Sequence, residues 1–262
     1  AVPTEDLLEH IKWAMEPVPD VRIELANHQY IERVLQSLTM SYTTLSKYLR
    51  CPLTFYYEQI LKVPFLKSDA LAFGSAVHYA LERMFKLMKE QQGVFPPKDE
   101  VIGAFKSFMF IESESFTQIQ YDRRLEQGIS VLSDYYDHYI DKFPTHVEIE
   151  LKIPRYILDG VPVTGKIDKI ELDGDNCKVV DYKTGDPDRS ATAMTAAPNE
   201  KNPNGGDYWR QMVFYKLLIE NYQEKNWKVQ MGMFDYVEKG RTSDQYKQIH
   251  VPLYPQDENT VL

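Results

Sequence analysis

The spacing of apolar residues indicates a mainly helical first half of the chain, followed by strands. At the start, a helical pattern is formed by Leu7, Leu8, Ile11 and Met15. A proline-containing break and a second apolar stretch follow. We interpret residues 1–40 as a helical N-terminal extension and residues 41–262 as one compact unit. Because the sequence starts at Ala1 without a methionine, we expect it to be a piece of a longer polypeptide.

Helical spacing continues through the rest of the first half. Residues 41–61 predict two short helices separated at Cys51, and Pro52 opens the second because proline fits the first helical turn. A clearer helix is predicted over residues 70–90, where the apolar positions are Val77, Leu81, Met84 and Met88. Further helical patterns fill residues 98–142.

The pattern then changes to strict alternation. Polar and apolar residues alternate over residues 146–153, which is typical of a half-buried strand. Two more strands are predicted over residues 161–172 and 177–183, joined by the turn-forming run 173–176. Together these strands predict an antiparallel meander.

A loop, a helix and two strands are predicted to close the chain. Residues 184–206 are rich in glycine and proline and predict a long loop, which is typically functional or disordered. Asp207 is expected to cap the next helix, and the closing strands fall near residues 227–237 and 245–254. The fold class predicted is α/β, with a central mixed β-sheet flanked by helices and a helical N-terminal portion.

This strand order brings two carboxylates and one ammonium group together. Asp181 and Lys183 are two residues apart on a strand, so they share a face. With a two-residue turn at 174–175, Asp168 pairs with Asp181. Like charges ~4 Å apart repel by on the order of 4 kcal/mol at an effective dielectric of ~20, so something must offset them. A divalent cation such as Mg²⁺ would do so. The alternative is a surface strand on which Lys183 bridges to Asp181.

Composition and charge narrow the class of protein. Hydrophobic residues at 43% and charged residues at 26% are typical of a soluble domain. We find no membrane span or signal peptide, and we expect a cytoplasmic protein with no membrane contact. Cys51 and Cys177 are far apart in sequence, and we expect both to be reduced. The net charge of -9 argues against a stand-alone protein that holds nucleic acid by bulk attraction.

Five sequence segments, in order, carry a family resemblance. They are residues 41–56 (Ser-x-x-x-Leu-x-x-Tyr-x-x-Cys-Pro-x-x-Phe-Tyr), 73–82 (Phe-Gly-x-x-x-His-x-x-Leu-Glu), 165–168 (Gly-Lys-Ile-Asp), 179–185 (Val-Val-Asp-Tyr-Lys-Thr-Gly) and 211–215 (Gln-x-x-x-Tyr). The set resembles the PD-(D/E)XK nuclease superfamily, in the branch that contains the RecB and AddA/AddB helicase-nucleases. The resemblance implies a restriction-endonuclease-like core and metal-dependent hydrolysis of DNA.

Carried over residue by residue, the resemblance implies a metal site. The implied ligands are His78, Asp168, Asp181 and the main-chain carbonyl of Tyr182, and the metal is Mg²⁺ or Mn²⁺. Lys183 is the implied catalytic lysine. Its position beside two carboxylates predicts a pKa raised above about 10.4, so we expect it to stay charged, orient the attacking water and stabilise the transition state.

The resemblance also implies three supporting features. Glu148 resembles the family's additional acidic residue on the first strand and is our choice, although Glu150 shares its face and fits equally. Gln211 and Tyr215 are four residues apart on one helix face and are expected to contact the nucleic-acid strand. For Tyr215, packing of the helix rim on the sheet is an equal alternative. Several relatives hold an iron–sulfur cluster with four cysteines, and we expect none here because three of them are missing.

The function expected from these features is that of a metal-dependent deoxyribonuclease in DNA processing and recombinational repair, acting as an exonuclease on a single-stranded end. A helicase domain in the same or a partner chain would deliver the strand, which would explain the acidic net charge. The alternatives are a catalytically silent DNA-binding or assembly module and a hydrolase of some other phosphoester. The silent module is disfavoured by the intact His78, Asp168, Asp181 and Lys183.

Overall fold

The computed structural model describes residues 28–189, 194–222, 225–254 and 257. By its internal contacts the chain divides into two units, Ala1–Leu38 and Thr39–Leu262. In the first unit the structure describes one helix, α1 (His28–Ser37). The helical pattern predicted from Leu7 to Met15 lies outside the described residues.

A layer of helices opens the second unit. These helices are α2 (Tyr42–Arg50), α3 (Pro52–Phe55), α4 (Asp69–Glu90), α5 (Lys98–Ile111) and α6 (Gln118–Tyr139), with one wider turn after α3 (Tyr56–Ile60) and a short 3₁₀ turn after α5 (Ser113–Ser115). Side chains that satisfy free backbone N–H groups set where they begin: Ser41 caps α2, Ser68 caps α4, and Thr117 forms a capping box at α6. Pro52 is the first residue of α3. The predicted helices are confirmed here.

A five-stranded mixed sheet follows. Its strands are β1 (Val147–Leu158), β2 (Val161–Asp173), β3 (Asn176–Lys183), β4 (Lys228–Tyr236) and β5 (Gln248–Pro252), and they lie in sequence order across the sheet. All neighbours are antiparallel except β3 and β4, which are parallel. A parallel pair needs a crossover connection. Helix α7 (Asp207–Asn221) provides it. The predicted mixed sheet flanked by helices is confirmed.

The two faces of the sheet bury separate apolar clusters. Along β3, Val180 and Tyr182 pack with α4, α5 and α6, whereas Cys177 and Val179 pack with α7. This alternation is what a strand covered on both faces requires. The residues between the two helical layers, at the end of β3, are therefore reached from both sides.

Several local predictions need correction. Asp207 does not cap α7 but is its first residue, because Gly206 takes the extended backbone of the cap position. Cys51 is not buried within a helix; it is half-buried in an extended conformation between α2 and α3. Strand β1 runs past the predicted end at Ile153 to Leu158. It can include Pro154 because β1 is an edge strand and its register shifts at this point.

The predicted loop between β3 and α7 is mostly irregular where the structure describes it. It contains a short 3₁₀ turn, Pro187–Arg189, and a bridge between Asn199 and Asn202. Among the described residues, no helix is both long enough and apolar enough to cross a membrane.

The packing of α5 on α6 generates a stability prediction. Gly128 in α6 lies so close to Phe105 that an added Cβ would collide with the ring, and Phe105 is fully buried. We expect Gly128→Ala to lower the free energy of unfolding by about 1–3 kcal/mol, measured by urea denaturation, because overpacking outweighs alanine's helix propensity.

Gly103 in α5 is the matched control. An added Cβ there meets nothing within 4 Å. Gly103→Ala should therefore raise the free energy of unfolding by up to about 1 kcal/mol. A Gly128→Ala protein as stable as the Gly103→Ala protein would contradict the close approach of the two helices.

Candidate active site

A cavity of about 530 Å³ lies between α4 and the strand ends that carry the predicted site residues. Helix α4 lines it with one stripe at helical spacing, Leu71, Gly74, Ser75, His78, Tyr79 and Glu82. From the sheet come Glu150, Lys166, Asp168, Asp181, Tyr182 and Lys183. The cavity thus brings together the predicted histidine, both aspartates and the lysine.

Gly74 permits the close approach of α4 to the end of β3. A Cβ built at this position would stand 3.2 Å from Oγ1 of Thr184, the residue directly after β3. The sequence predicted room at Gly74 for an approaching strand, and the structure places the end of β3 there. One turn further along α4, His78 faces the same cavity.

Asp168 is held by an imidazole and a backbone amide. Its Oδ2 lies 3.2 Å from Nδ1 of His78 and accepts the N–H of Tyr182 at 3.1 Å. Burial acts to raise the pKa of Asp168, but these contacts outweigh it and lower the pKa. Burial likewise acts to lower the pKa of His78, and the Asp168 carboxylate raises it instead. The pair therefore favours a charged carboxylate beside a protonated imidazole.

Asp181 is more deeply buried, with 5% of its surface exposed. Its Oδ2 lies 2.6 Å from Nζ of Lys183, and its Oδ1 accepts the amide N–H of Gln211 at 2.6 Å. Burial and the nearby charge of Asp168 raise the pKa of Asp181, against the lowering effect of Lys183. The site thus contains a carboxylate that strongly favours a neighbouring cation.

The strand register accounts for this meeting. Asp173 pairs with Asn176, as the two-residue turn predicted, and the ladder continues to Lys169 opposite Val180. One more step in the same register brings Asp168 opposite Asp181. At that step the side chain of Asp168, rather than the ladder alone, accepts a β3 backbone N–H.

Lys183 lies beside Asp181 and two aromatic rings. Its Nζ is 5.0 Å from the ring centroid of Phe234 and 5.6 Å from that of Tyr208. Burial acts to lower the pKa of Lys183, but the charges of Asp181 and Asp168 raise it by more. The sequence predicted a raised pKa for this lysine, and the structure agrees in direction. Lys183 is therefore charged at neutral pH.

Gln211 and Tyr215 lie on the face of α7 that meets β3. Besides its contact with Asp181, the Gln211 amide donates to the Tyr215 hydroxyl at 3.1 Å, and its Oε1 lies 3.4 Å from Nζ of Lys183. Both residues are buried. Tyr42, which sequence reasoning did not select, packs its ring against Tyr215 with centroids 6.4 Å apart. The only signal for Tyr42 was its place next to Ser41 in the first family segment.

The two glutamates of β1 are placed differently. Glu150 has a φ of +54°, lies in register opposite Asp168, and lines the cavity, where it pairs with Lys166. Glu148 does not line the cavity; it pairs with Lys89 of α4 at 2.9 Å. The strict alternation that put both on one face does not hold, because the left-handed backbone at Glu150 interrupts the strand.

The chemistry of the donor set fits a hard divalent cation. Two carboxylates, one imidazole and a main-chain carbonyl supply mostly oxygen, which suits Mg²⁺ or Mn²⁺. Buried Asp181, whose raised pKa reflects a shortage of positive charge, is the observation that supports this fit. Within the described ranges, no three His, Cys, Asp or Glu side chains already surround one point. The Asp168 contact with His78 would have to open for both to face one cation.

Comparison with known proteins agrees with this geometry. The model of the PD-(D/E)XK nuclease superfamily matches residues 39–261. The chain belongs to this superfamily. A relative of this nuclease-family chain is one of the subunits of an ATP-dependent helicase/deoxyribonuclease from Clostridium acetobutylicum, 24% identical over 180 residues. That match covers 57% of this chain and 16% of the relative, so the chain spans a small part of that protein.

Two solved structures show distant likeness to this PD-(D/E)XK chain. The structure of SSO0001 is 12% identical with a TM-score of 0.30, covering 71% of this chain and 70% of that one. Protein VC1899 from Vibrio cholerae is 11% identical with a TM-score of 0.24, covering 68% and 45%.

The contact between Gln211 and Asp181 generates a second prediction. Gln211→Glu would place a buried carboxylate beside Asp181, and like charges at this distance are costly. We expect the free energy of unfolding at pH 7 to fall by about 2 kcal/mol or more, measured by chemical denaturation. Tyr215→Phe, which removes one hydrogen bond without adding charge, should cost about 0.5–1.5 kcal/mol. Equal stability of Gln211→Glu and wild type would contradict the contact.

Proposed function

We propose that this chain is a metal-dependent deoxyribonuclease that hydrolyses phosphodiester bonds. The observation that supports this most strongly is the pairing of Lys183 with buried Asp181 at 2.6 Å in the cavity that also holds Asp168 and His78. A surface strand with a simple lysine–aspartate bridge, the alternative weighed from sequence, would not bury the carboxylate.

The charge arrangement favours catalysis over a purely structural role. Asp168 and Asp181 repel each other, and each is offset by one cationic neighbour, His78 or Lys183. Buried charge pairs are weak contributors to stability. Concentrating four ionisable groups in an open cavity is typical of active sites, which tolerate such strain for function.

The residues divide the work between holding and activating. His78, Asp168, Asp181 and the carbonyl of Tyr182 would hold the metal. The metal, when bound, lowers the pKa of water and stabilises charge developing on the phosphate.

Lys183 supplies charge that does not depend on pH near neutrality. Its ammonium carries three donors, of which Asp181 takes one and Gln211 lies near a second. The third is available to orient the attacking water or to donate to a phosphate oxygen. Gln211 fixes Asp181 and thereby the position of Lys183.

The substrate and partner follow from the site and from the relative. We propose DNA, entered from a single-stranded end and cut as by an exonuclease during DNA processing and recombinational repair. The Clostridium relative is named as both helicase and deoxyribonuclease. A helicase in the same or a partner chain would deliver the strand, which accounts for a net charge of -9 on a DNA enzyme.

Cleavage of end-labelled DNA tests the proposed function. The chain would be incubated with single- and double-stranded DNA in Mg²⁺, Mn²⁺ or EDTA, beside Asp181→Ala and Lys183→Ala. We expect metal-dependent cutting that Asp181→Ala abolishes, and a loss of about 10²–10³-fold in Lys183→Ala with metal binding retained.

Two results would overturn this assignment. Absence of cutting by the wild type, with metal binding intact, would favour a DNA-binding or assembly module. A Lys183→Ala variant that binds metal normally and cuts as fast as wild type would remove Lys183 from the mechanism.

We also propose that Glu150, rather than Glu148, is the additional acidic residue of the site. Of the two, Glu150 faces the cavity beside Asp168. We expect Glu150→Gln to reduce metal affinity or cleavage by about 10- to 100-fold, by titration calorimetry and the same assay. Glu148→Gln is the matched control on the same strand and should change neither. A larger loss in the control than in Glu150→Gln would reverse the assignment.

A further inference from the structure

The cavity that holds the charged residues has a second wall of apolar carbon. Leu71 and Tyr79 of α4 and Phe108 of α5 form it; we refer to these three residues as the aromatic wall. The ring centroids of Tyr79 and Phe108 are 4.8 Å apart with planes inclined at 32°, so the two rings present one extended surface. Both rings are half-buried, and Leu71 is 52% exposed.

We propose that the aromatic wall stacks against an unpaired nucleobase of the substrate strand, next to the phosphate that is cut. The proposal rests on the proposed nuclease function and assigns Tyr79 and Phe108 as positioning residues. Their role is to hold the strand, whereas the charged side of the cavity carries the chemistry.

The composition of the cavity supports a base rather than more backbone at this wall. A phosphodiester backbone is anionic and is served by Lys183 and Lys166 on the sheet side. Aromatic carbon offers phosphate nothing, but every nucleobase has a flat π-face that stacks on such rings. A cavity of about 530 Å³ is within the size range of pockets that hold one small ligand.

The wall is fixed close to the reacting centre. Tyr79 directly follows His78 on α4, and both lie in the stripe of that helix that lines the cavity. A base on the wall and a phosphate near Asp168 would therefore belong to the same or adjacent nucleotides. Stacking would set which phosphate meets Lys183.

This arrangement selects for unpaired DNA. In a duplex each base is already stacked and paired, so reaching the wall would require the base to be extruded. A single strand or a frayed end exposes its bases at lower cost. The contact would be tolerant of sequence because it reads no hydrogen-bond pattern.

Stacking would also supply binding that the acidic chain does not obtain from bulk attraction. Contacts to phosphate weaken as salt rises because counterions are no longer released into dilute solution. Stacking does not involve counterions. The share of affinity contributed by Tyr79 and Phe108 should therefore be independent of salt.

Binding of abasic strands by the wild-type chain is the first test. The probe is a fluorescein-labelled single strand of thymidines on the order of 12 nucleotides. EDTA prevents turnover, and one base at a time is replaced by an abasic site. We expect one or two positions at which base removal weakens binding by about tenfold, and a similar loss at every salt concentration.

Variants then assign that loss to the wall. Tyr79→Leu and Phe108→Leu keep apolar bulk but remove the ring, and should lower affinity by about tenfold and become insensitive to the abasic site. Tyr79→Phe keeps the ring and should bind as wild type does. Phe110→Leu is the control, since Phe110 lies on the same helix as Phe108, is 74% exposed and does not line the cavity.

The outcomes separate this proposal from the proposed function. Metal-dependent cleavage with no sensitive position in the abasic scan would overturn the stacking role and leave the nuclease assignment standing. An abasic penalty that persists unchanged in folded Tyr79→Leu and Phe108→Leu would overturn it as well. If the leucine variants fail to fold, the wild-type scan still decides between a stacked base and none.

Discussion

Asp168 and Asp181 carry like charges on neighbouring strands, and their repulsion must be offset for β2 and β3 to end in the same cavity. Each carboxylate has its own cation: His78 reaches across from α4, and Lys183 lies two residues along β3. The helices on both faces of the sheet take part, since α4 brings His78 and α7 brings Gln211. Packing on each face therefore acts directly on the charges between them.

The residues that could be predicted from sequence are those fixed by local rules. A two-residue turn sets the register of β2 and β3, and that register places Asp168 one step from Asp181. The period of α4 puts His78 and Gly74 on one side. The predicted register and helix face are confirmed because short-range geometry leaves few alternatives.

The residues that could not be predicted depend on contacts between distant segments. Alternation on β1 makes Glu148 and Glu150 equivalent, and a left-handed backbone at Glu150 separates them. Tyr79 and Phe108 belong to different helices, so their stacking appears only once α4 and α5 pack. Asp207 resembles a helix cap by residue type, yet Gly206 takes that position because its backbone is the extended one.

The bend at Glu150 has a consequence for self-association. Strand β1 is twelve residues long and forms one margin of the sheet. A long, regular edge is a template on which another copy can add a strand. Glu150 interrupts β1 near its middle, and Pro154 lacks an N–H group where the register shifts. The same distortion that turns an acidic side chain into the cavity thus divides the edge into short segments, which disfavours intermolecular pairing and aggregation.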